Sequence, residues 1–410
     1  MSRKDPSRRD ARHPGIAGAA ALLVLLAGAG GAGAQPAKTN VPVLYLELAA
    51  PQSIPSTSLL PPPPAEEGVQ GARLGLAEEN ATGRFLGVSY DLQEAVRPDA
   101  AAVLDAARAA IAAGRRVIVA DLPAPLLLRL ADLPEAKGAL ILDVATSDDA
   151  LRGSDCRRNV LHVAPSRAML ADALMQYLVT KNWTRIMLLT GTQPADQLYA
   201  DALRKSARKF QVRIAADRPW TFNPAAQQAD TGHYEVNTEV ADATTGVSYD
   251  VLVAADESGA FADELAYRTR DPRPIAGSAG LMPVIWTPLY DEYAAAQVQI
   301  RFRRRAHRPM TGLDFDAWLA MRAIGEAVIR GGTADPAALN DYMLGPKFEV
   351  AGYKGAALSF RSWDGQLRQP VLLADADNSL VSISPQAGYL HQFNVLDTLG
   401  VDQPETTCHF

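Results

Sequence analysis

Cysteine is nearly absent. Two residues, Cys156 and Cys408, occur in 410 positions, too few for a disulfide scaffold or an all-cysteine metal site. In an oxidising compartment they could pair; otherwise they are two separate thiols, and spacing alone does not give the Cα separation that decides between the two. The six histidines have no His-x-His, His-x-x-x-His or Glu-x-x-His neighbour, so no metal site is expected. There is no G-x-S-x-G elbow; the nearest string, Gly277-Ser278-Ala279-Gly280, carries its serine one place early. There is no G-x-x-x-x-G-K-[ST] loop to cradle a triphosphate, so the chain is not itself an ATPase. Neither sign of charge dominates: 40 basic and 46 acidic residues give -6, with no global attraction for nucleic acid or anionic membrane. Arg301, Arg303, Arg304, Arg305 and Arg308 fan over several helix faces without a stacking ladder of aromatics, which reads as a solvated surface or a partner contact rather than phosphate binding. No cofactor is expected.

What is present is ordinary globular composition, 48% hydrophobic and 21% charged, with room for two or three domains. Residues 1–34 read as a secretory signal: Arg3, Lys4, Arg8, Arg9 and Arg12, an apolar stretch over 16–27, and small residues ending Ala32-Gly33-Ala34. The glycines of 28–33 spell a dinucleotide fingerprint, but Pro36 and Pro42 follow where a helix would have to start. An uncleaved anchor is the alternative reading of the segment. Removal of 1–34 leaves 35 basic and 44 acidic residues, a charge of -9. No membrane span is expected in the mature chain, and a periplasmic location follows from export.

Along the mature chain, short apolar runs alternate with helical periods. Strands are expected over 41–48, 88–92, 116–120 and 139–144, with helices over 66–80, 100–113 and 125–131. A break is expected at Thr82-Gly83-Arg84. The rhythm restarts with helices over 167–180 and 196–210 and strands over 186–190, 212–216, 250–255 and 274–276. Two sets of this kind indicate two doubly wound parallel-sheet lobes in an α/β chain. Helices over 290–305 and 315–330 follow, then strands over 367–373 and 380–383. Open parallel sheets bind ligands beyond the carboxyl ends of their strands. That rule nominates Asp121, Thr146, Ser147, Thr192, Gln193, Tyr199, Asp256 and Glu257, with Trp286 as an apolar wall.

The order of segments resembles the type 1 periplasmic-binding fold, in particular the branched-chain amino-acid type of ABC-transporter substrate-binding protein. The stretches that carry it are 71–83, with its Asn80 turn, and 166–191 followed by 196–210. The resemblance implies a multi-segment hinge, with a first lobe over 41–165 plus 284–357, a second over 166–283 plus 358–395, and a tail over 396–410. It implies a small-molecule ligand, separately encoded permease and ATPase partners, and capture by lobe closure without chemistry. Residues 151–157, 271–274, 277–281 and 362–370 are similar to the subgroup associated with pyrroloquinoline-quinone (PQQ)-dependent alcohol dehydrogenase systems. Where relatives hold a ligand carboxylate on a serine- and threonine-bearing loop, this chain has Thr146-Ser147-Asp148-Asp149, and two acids there argue against an anionic ligand group. A sensor or adaptor of the same fold is the alternative, and an exported enzyme using Asp256 or Glu257 as base is the more distant one.

Overall fold

The computed structural model describes residues 39–49, 64–220 and 239–410. The signal-sequence reading of 1–34 lies outside these. No described helix is long and apolar enough to cross a membrane.

The first sheet is parallel, with strand order β2-β1-β3-β4-β5. It is built from β1 (Thr39–Leu48), β2 (Val88–Arg97), β3 (Val117–Asp121), β4 (Leu140–Asp143) and β5 (Val160–His162). Its central strands are apolar on both faces, because helices cover both. On one side α2 (Ala100–Ala112) and α3 (Ala124–Ala131) bury Val103, Ala107, Leu126 and Leu130 against Leu44, Leu46 and Ile118. On the other side α1 (Val69–Leu86) packs with helices from much later in the chain: α6 (Ala295–Ala306), α7 (Gly312–Gly331) and α8 (Pro336–Met343). Helix α1 runs straight through the expected break to a left-handed Gly87 cap. Gly83 serves close approach rather than termination, since a Cβ there would lie 2.3 Å from the carbonyl oxygen of Val88. Conversely, 290–294 do not join α6, because Tyr293 and Ala294 take positive φ of 49° and 68°.

The second sheet, order β7-β6-β8-β9, is also parallel. It comprises β6 (Arg185–Thr190), β7 (Arg213–Pro219), β8 (Val251–Ala255) and β9 (Ile275–Gly277). Helices α4 (Arg167–Thr180) and α5 (Pro194–Lys209) bury Leu174, Leu178, Ala200 and Leu203 against it. The chain passes between the lobes at 163–166, and again at β10 (Met282–Val284), which pairs antiparallel with β14 (Val371–Ala374), itself paired with β15 (Leu380–Ser384).

Between these lie β11 (Val350–Ala351), β12 (Ala357–Phe360) and β13 (Leu367–Arg368). Leu358, Phe360 and Leu367 pack in the first core, whereas Leu373 joins the second. Leu372 also lies in the first core, and the β12–β13 hairpin docks on β5. There, the His162 N–H donates to the Gly365 carbonyl at 2.9 Å, which also covers an edge strand. Beneath this junction a fully buried polar set ties the crossings together. Arg152 donates to Gln366 at 2.8 Å and to the Ala164 carbonyl at 2.7 Å. His162 bonds Asp143 at 2.8 Å, and Gln369 donates to the Val163 carbonyl at 2.7 Å.

Candidate functional site

In parallel α/β sheets the strand carboxyl ends carry the adaptable loops. On the first lobe these ends bring Glu47, Asp121 and the Thr146-Ser147 loop to one side of the sheet, and Glu47 and Asp121 are paired across β1 and β3. The Tyr45 hydroxyl donates to Asp121 at 3.0 Å. Gly68, just before α1, closes over this pair with φ of 77°; a Cβ would sit 2.4 Å from the Tyr45 hydroxyl. Its N–H donates to Asp314 at 2.9 Å, and Asp314 in turn accepts from the Thr311 N–H and from Arg308. Glu67 is thereby held beside the other two acids. Burial, then the Glu47 charge, pushes the Asp121 carboxyl up to about 7. Burial, then Glu67, raises Glu47, and burial raises Glu67. One oxygen of Glu47 is buried with no hydrogen-bond partner among the described residues. The result is an acceptor-rich, negatively poised face.

The lobes meet at Arg167, the first residue of α4. Its N–H donates to the Ser147 carbonyl at 2.9 Å. Its guanidinium grips Glu257, from the loop after β8, at 2.8 and 2.7 Å, and lies 3.9 Å from Asp148. Asp149 accepts from the Ala168 N–H at 3.0 Å, adding to the helix start. Ser147 and Glu257 are thus brought together through an arginine that strand-end reasoning missed. The acids Asp148 and Asp149, expected to repel an anion, are engaged with α4.

The other nominated residues are placed differently. Asp256 is buried, with its oxygens occupied by the N–H groups of Ala260, Phe261 and Ala262 at 2.9, 2.7 and 2.7 Å and by the Ser258 hydroxyl at 3.0 Å. It holds a turn. Replacing it by alanine is expected to cost about 2–3 kcal/mol in urea unfolding, because three backbone donors lose their acceptor. Tyr199 lies in the second core with Leu188 and Leu203. Gln193 caps α5, its N–H donating to Asp196 at 3.1 Å. Asp196 also accepts from the Ser258 N–H at 2.9 Å, coupling the two second-lobe loops. Thr192 is exposed beside them. Thr146 sits in a local turn, its N–H on Asp143 and its hydroxyl accepting from the Asp148 N–H. Trp286 stacks on Phe315 with ring centroids 4.3 Å apart and meets Tyr290 edge-on. Its indole nitrogen has no partner among the described residues. A surface hollow of about 660 Å³ lined by Leu133, Lys137, Asn159 and Asn340 lies at the opposite, amino-terminal ends of β4 and β5. It is remote from this site. Cys156 and Cys408 are joined in a disulfide, Cα to Cα 5.7 Å.

A profile of the periplasmic binding protein family matches residues 54–379. The chain belongs to this family. Among solved structures, a periplasmic binding protein from Burkholderia mallei is 12% identical, with a TM-score of 0.63, over 90% of this chain and 98% of that one. An ABC-transporter substrate-binding protein from Desulfitobacterium hafniense, in complex with leucine, is 17% identical with a TM-score of 0.63, over 83% and 98%. A solute-binding protein from Rhodopseudomonas palustris in complex with 3,4-dihydroxybenzoic acid is 12% identical with a TM-score of 0.61, over 83% and 95%. At these identities the likeness speaks for the fold: two parallel-sheet lobes of the type 1 periplasmic binding protein. No curated protein matches the chain. In this periplasmic binding protein the cross-lobe partner Arg167 and the acids Glu47 and Glu67 carried no spacing signal.

Proposed function

We propose that this chain is the exported, periplasmic solute receptor of an ABC transporter, capturing a small molecule between its lobes without breaking a bond and delivering it to separate permease and ATPase subunits. The observation that supports this most is the convergence of strand-end loops from both sheets on Arg167, which joins Ser147 and Asp148 of one lobe to Glu257 of the other. Closure is favoured only by contacts the solute makes with both faces. The first-lobe face offers Asp121, Glu47 and Glu67, so the solute presents a cationic or hydrogen-bond-donating group there rather than a carboxylate. In this it departs from relatives crystallised with leucine or 3,4-dihydroxybenzoic acid. The similarity of 151–157 and 362–370 to proteins of PQQ-dependent alcohol dehydrogenase systems supports a place beside periplasmic alcohol oxidation. The acidic face favours a small alcohol or amino alcohol over the polycarboxylate quinone.

A thermal-shift panel on residues 35–410, comparing alcohols, amines, amino alcohols, aldehydes, carboxylates and PQQ, tests this. A solute at a hundred times its dissociation constant adds about 2.7 kcal/mol, a shift of a few degrees. Saturable shifts by donor or cationic solutes without turnover are expected. A response to carboxylates alone would overturn the charge assignment, and turnover would overturn the receptor reading.

The Asp121 carboxyl adds a pH signature. Because it is raised from 3.8 to about 7, the folded chain holds a proton that the unfolded chain has released. This contribution to stability is full below pH 4 and is lost as pH rises towards 7. Asp121→Asn is therefore expected to flatten the pH dependence of unfolding over that range and to gain on the wild type most above pH 7. Affinity for a cationic solute is expected to rise through pH 7 in the wild type and to lose that rise in the variant, as titration calorimetry would show.

A further inference from the structure

The C-terminal segment touches both lobes. Leu399 is buried with Met169 and Ala173 of α4. The Gly400 N–H donates to Asp172 at 2.8 Å, and Lys209 of α5 donates to the same carboxylate at 2.7 Å and to the Gly400 carbonyl at 2.8 Å. Gln176 reaches the Thr398 hydroxyl at 3.2 Å. Asp172, Gln176 and Leu399 are all at most 3% exposed, so this dock on the second lobe is a packed one, and Arg361 of the β12–β13 hairpin holds the same segment non-covalently through Asp397 and the Leu399 carbonyl. The chain then crosses an exposed turn at Gln403–Glu405. It ends against the first lobe, where Thr407 abuts Gly153 and Cys408 is bonded to Cys156, just before the edge strand β5.

We propose that residues 396–408 form a strap, a further covalent crossing between the lobes that limits how far they open. The disulfide turns a surface contact of the tail into a closed link. From the Gly400 dock to Cys408 the chain can extend by only about 3.3–3.6 Å per residue, and the 403–405 turn shortens that reach. A restricted open state raises the fraction of ligand-free molecules near closure, which lowers the apparent dissociation constant for any solute bound by closure. This inference rests on the two-lobe fold and not on the solute reading.

Small-angle scattering of the ligand-free chain, residues 35–410, tests it. Two altered proteins are compared with the wild type. The first is C156S/C408S. The second keeps the disulfide and carries a protease site in place of Gln403–Glu405, cut after folding. Both are expected to show a larger radius of gyration with unchanged far-ultraviolet circular dichroism. If the serine variant fails to fold, the cut protein decides alone. A cut protein whose scattering superimposes on the wild type would overturn the strap, even where the serine variant expands, because that expansion would then come from lost local packing. The readout needs no solute, so the strap and the receptor reading fail separately.

Discussion

Replacing Arg361 by methionine is expected to destabilise the protein by about 3–5 kcal/mol, the cost of breaking a buried ion pair by removing one partner. Arg361 is 1% exposed. It donates to Asp397 at 2.9 Å, to the Leu399 carbonyl at 2.6 Å, and to the Leu396 and Val401 carbonyls at 3.3 Å each. Arg368 also reaches Asp397, at 2.8 Å, so that carboxylate keeps one cation in the variant while the three carbonyls lose their donor. The nearby Asp364 gives the loss a pH dependence. Burial pushes its carboxyl up to about 6, with the Arg361 charge holding it down. The stability it contributes is therefore full below pH 4 and is lost as pH rises towards 6. Without Arg361 the folded value climbs further, so the loss continues to higher pH. Urea unfolding should show the deficit growing between pH 5 and pH 8. A deficit that is flat across that range would mean Asp364 does not feel Arg361.

The second large effect is expected at the crossing of α1 and α7. A Cβ on Gly71 would lie 1.8 Å from the Asp314 carbonyl oxygen, and one on Gly75 would lie 2.5 Å from Cβ of Met321. The obstacle at Gly71 is backbone, which cannot turn aside as a side-chain tip can. Gly71→Ala is expected to cost about 3 kcal/mol, at the upper end for overpacking a core, and Gly71→Val more. The displacement also reaches the cleft. Asp314 holds the Gly68 N–H, and Gly68 sits over Tyr45 and Asp121, so helix separation loosens the acidic face. Gly71→Ala should thus lower the unfolding midpoint and blunt the pH response assigned to Asp121, whereas a purely structural change elsewhere would do only the first.

The two-lobe α/β architecture was legible because apolar strands of four to six residues alternating with amphipathic helices have few other solutions. Strand β5 was not legible, since Val160-Leu161-His162 is too short to register as a period. The first turn of the expected 290–305 helix failed at Tyr293 and Ala294, two residues with no sequence cue for positive φ. At the site, strand-end logic could not separate Asp256 from Glu257. They are neighbours, yet one folds back onto backbone donors and the other reaches across to Arg167. That difference depends on which partner the tertiary fold presents, and single-sequence spacing carries no record of it. The cysteine pair was undecided for the same reason. Arg152, Cys156, Gln366 and Gln369 lie where the chain crosses between the lobes, and their roles there likewise could not be read from spacing.

The packing of α1 against α7 also sets an order of assembly. Gly68 and Asp314, which bond to each other, stand 246 positions apart, while the second sheet is made from one contiguous stretch between α4 and β9. As the chain emerges, the second sheet has all four of its strands before the first sheet has the later helices that complete the cover of one face. Until α7 arrives, Val43, Tyr45 and Val119 of the first sheet have only α1 to cover them on that side. Such long-range closure is slow and leaves apolar surface open to aggregation in the meantime. The sheet synthesised first waits longest for its cover, and it is there that a holding chaperone would find its substrate.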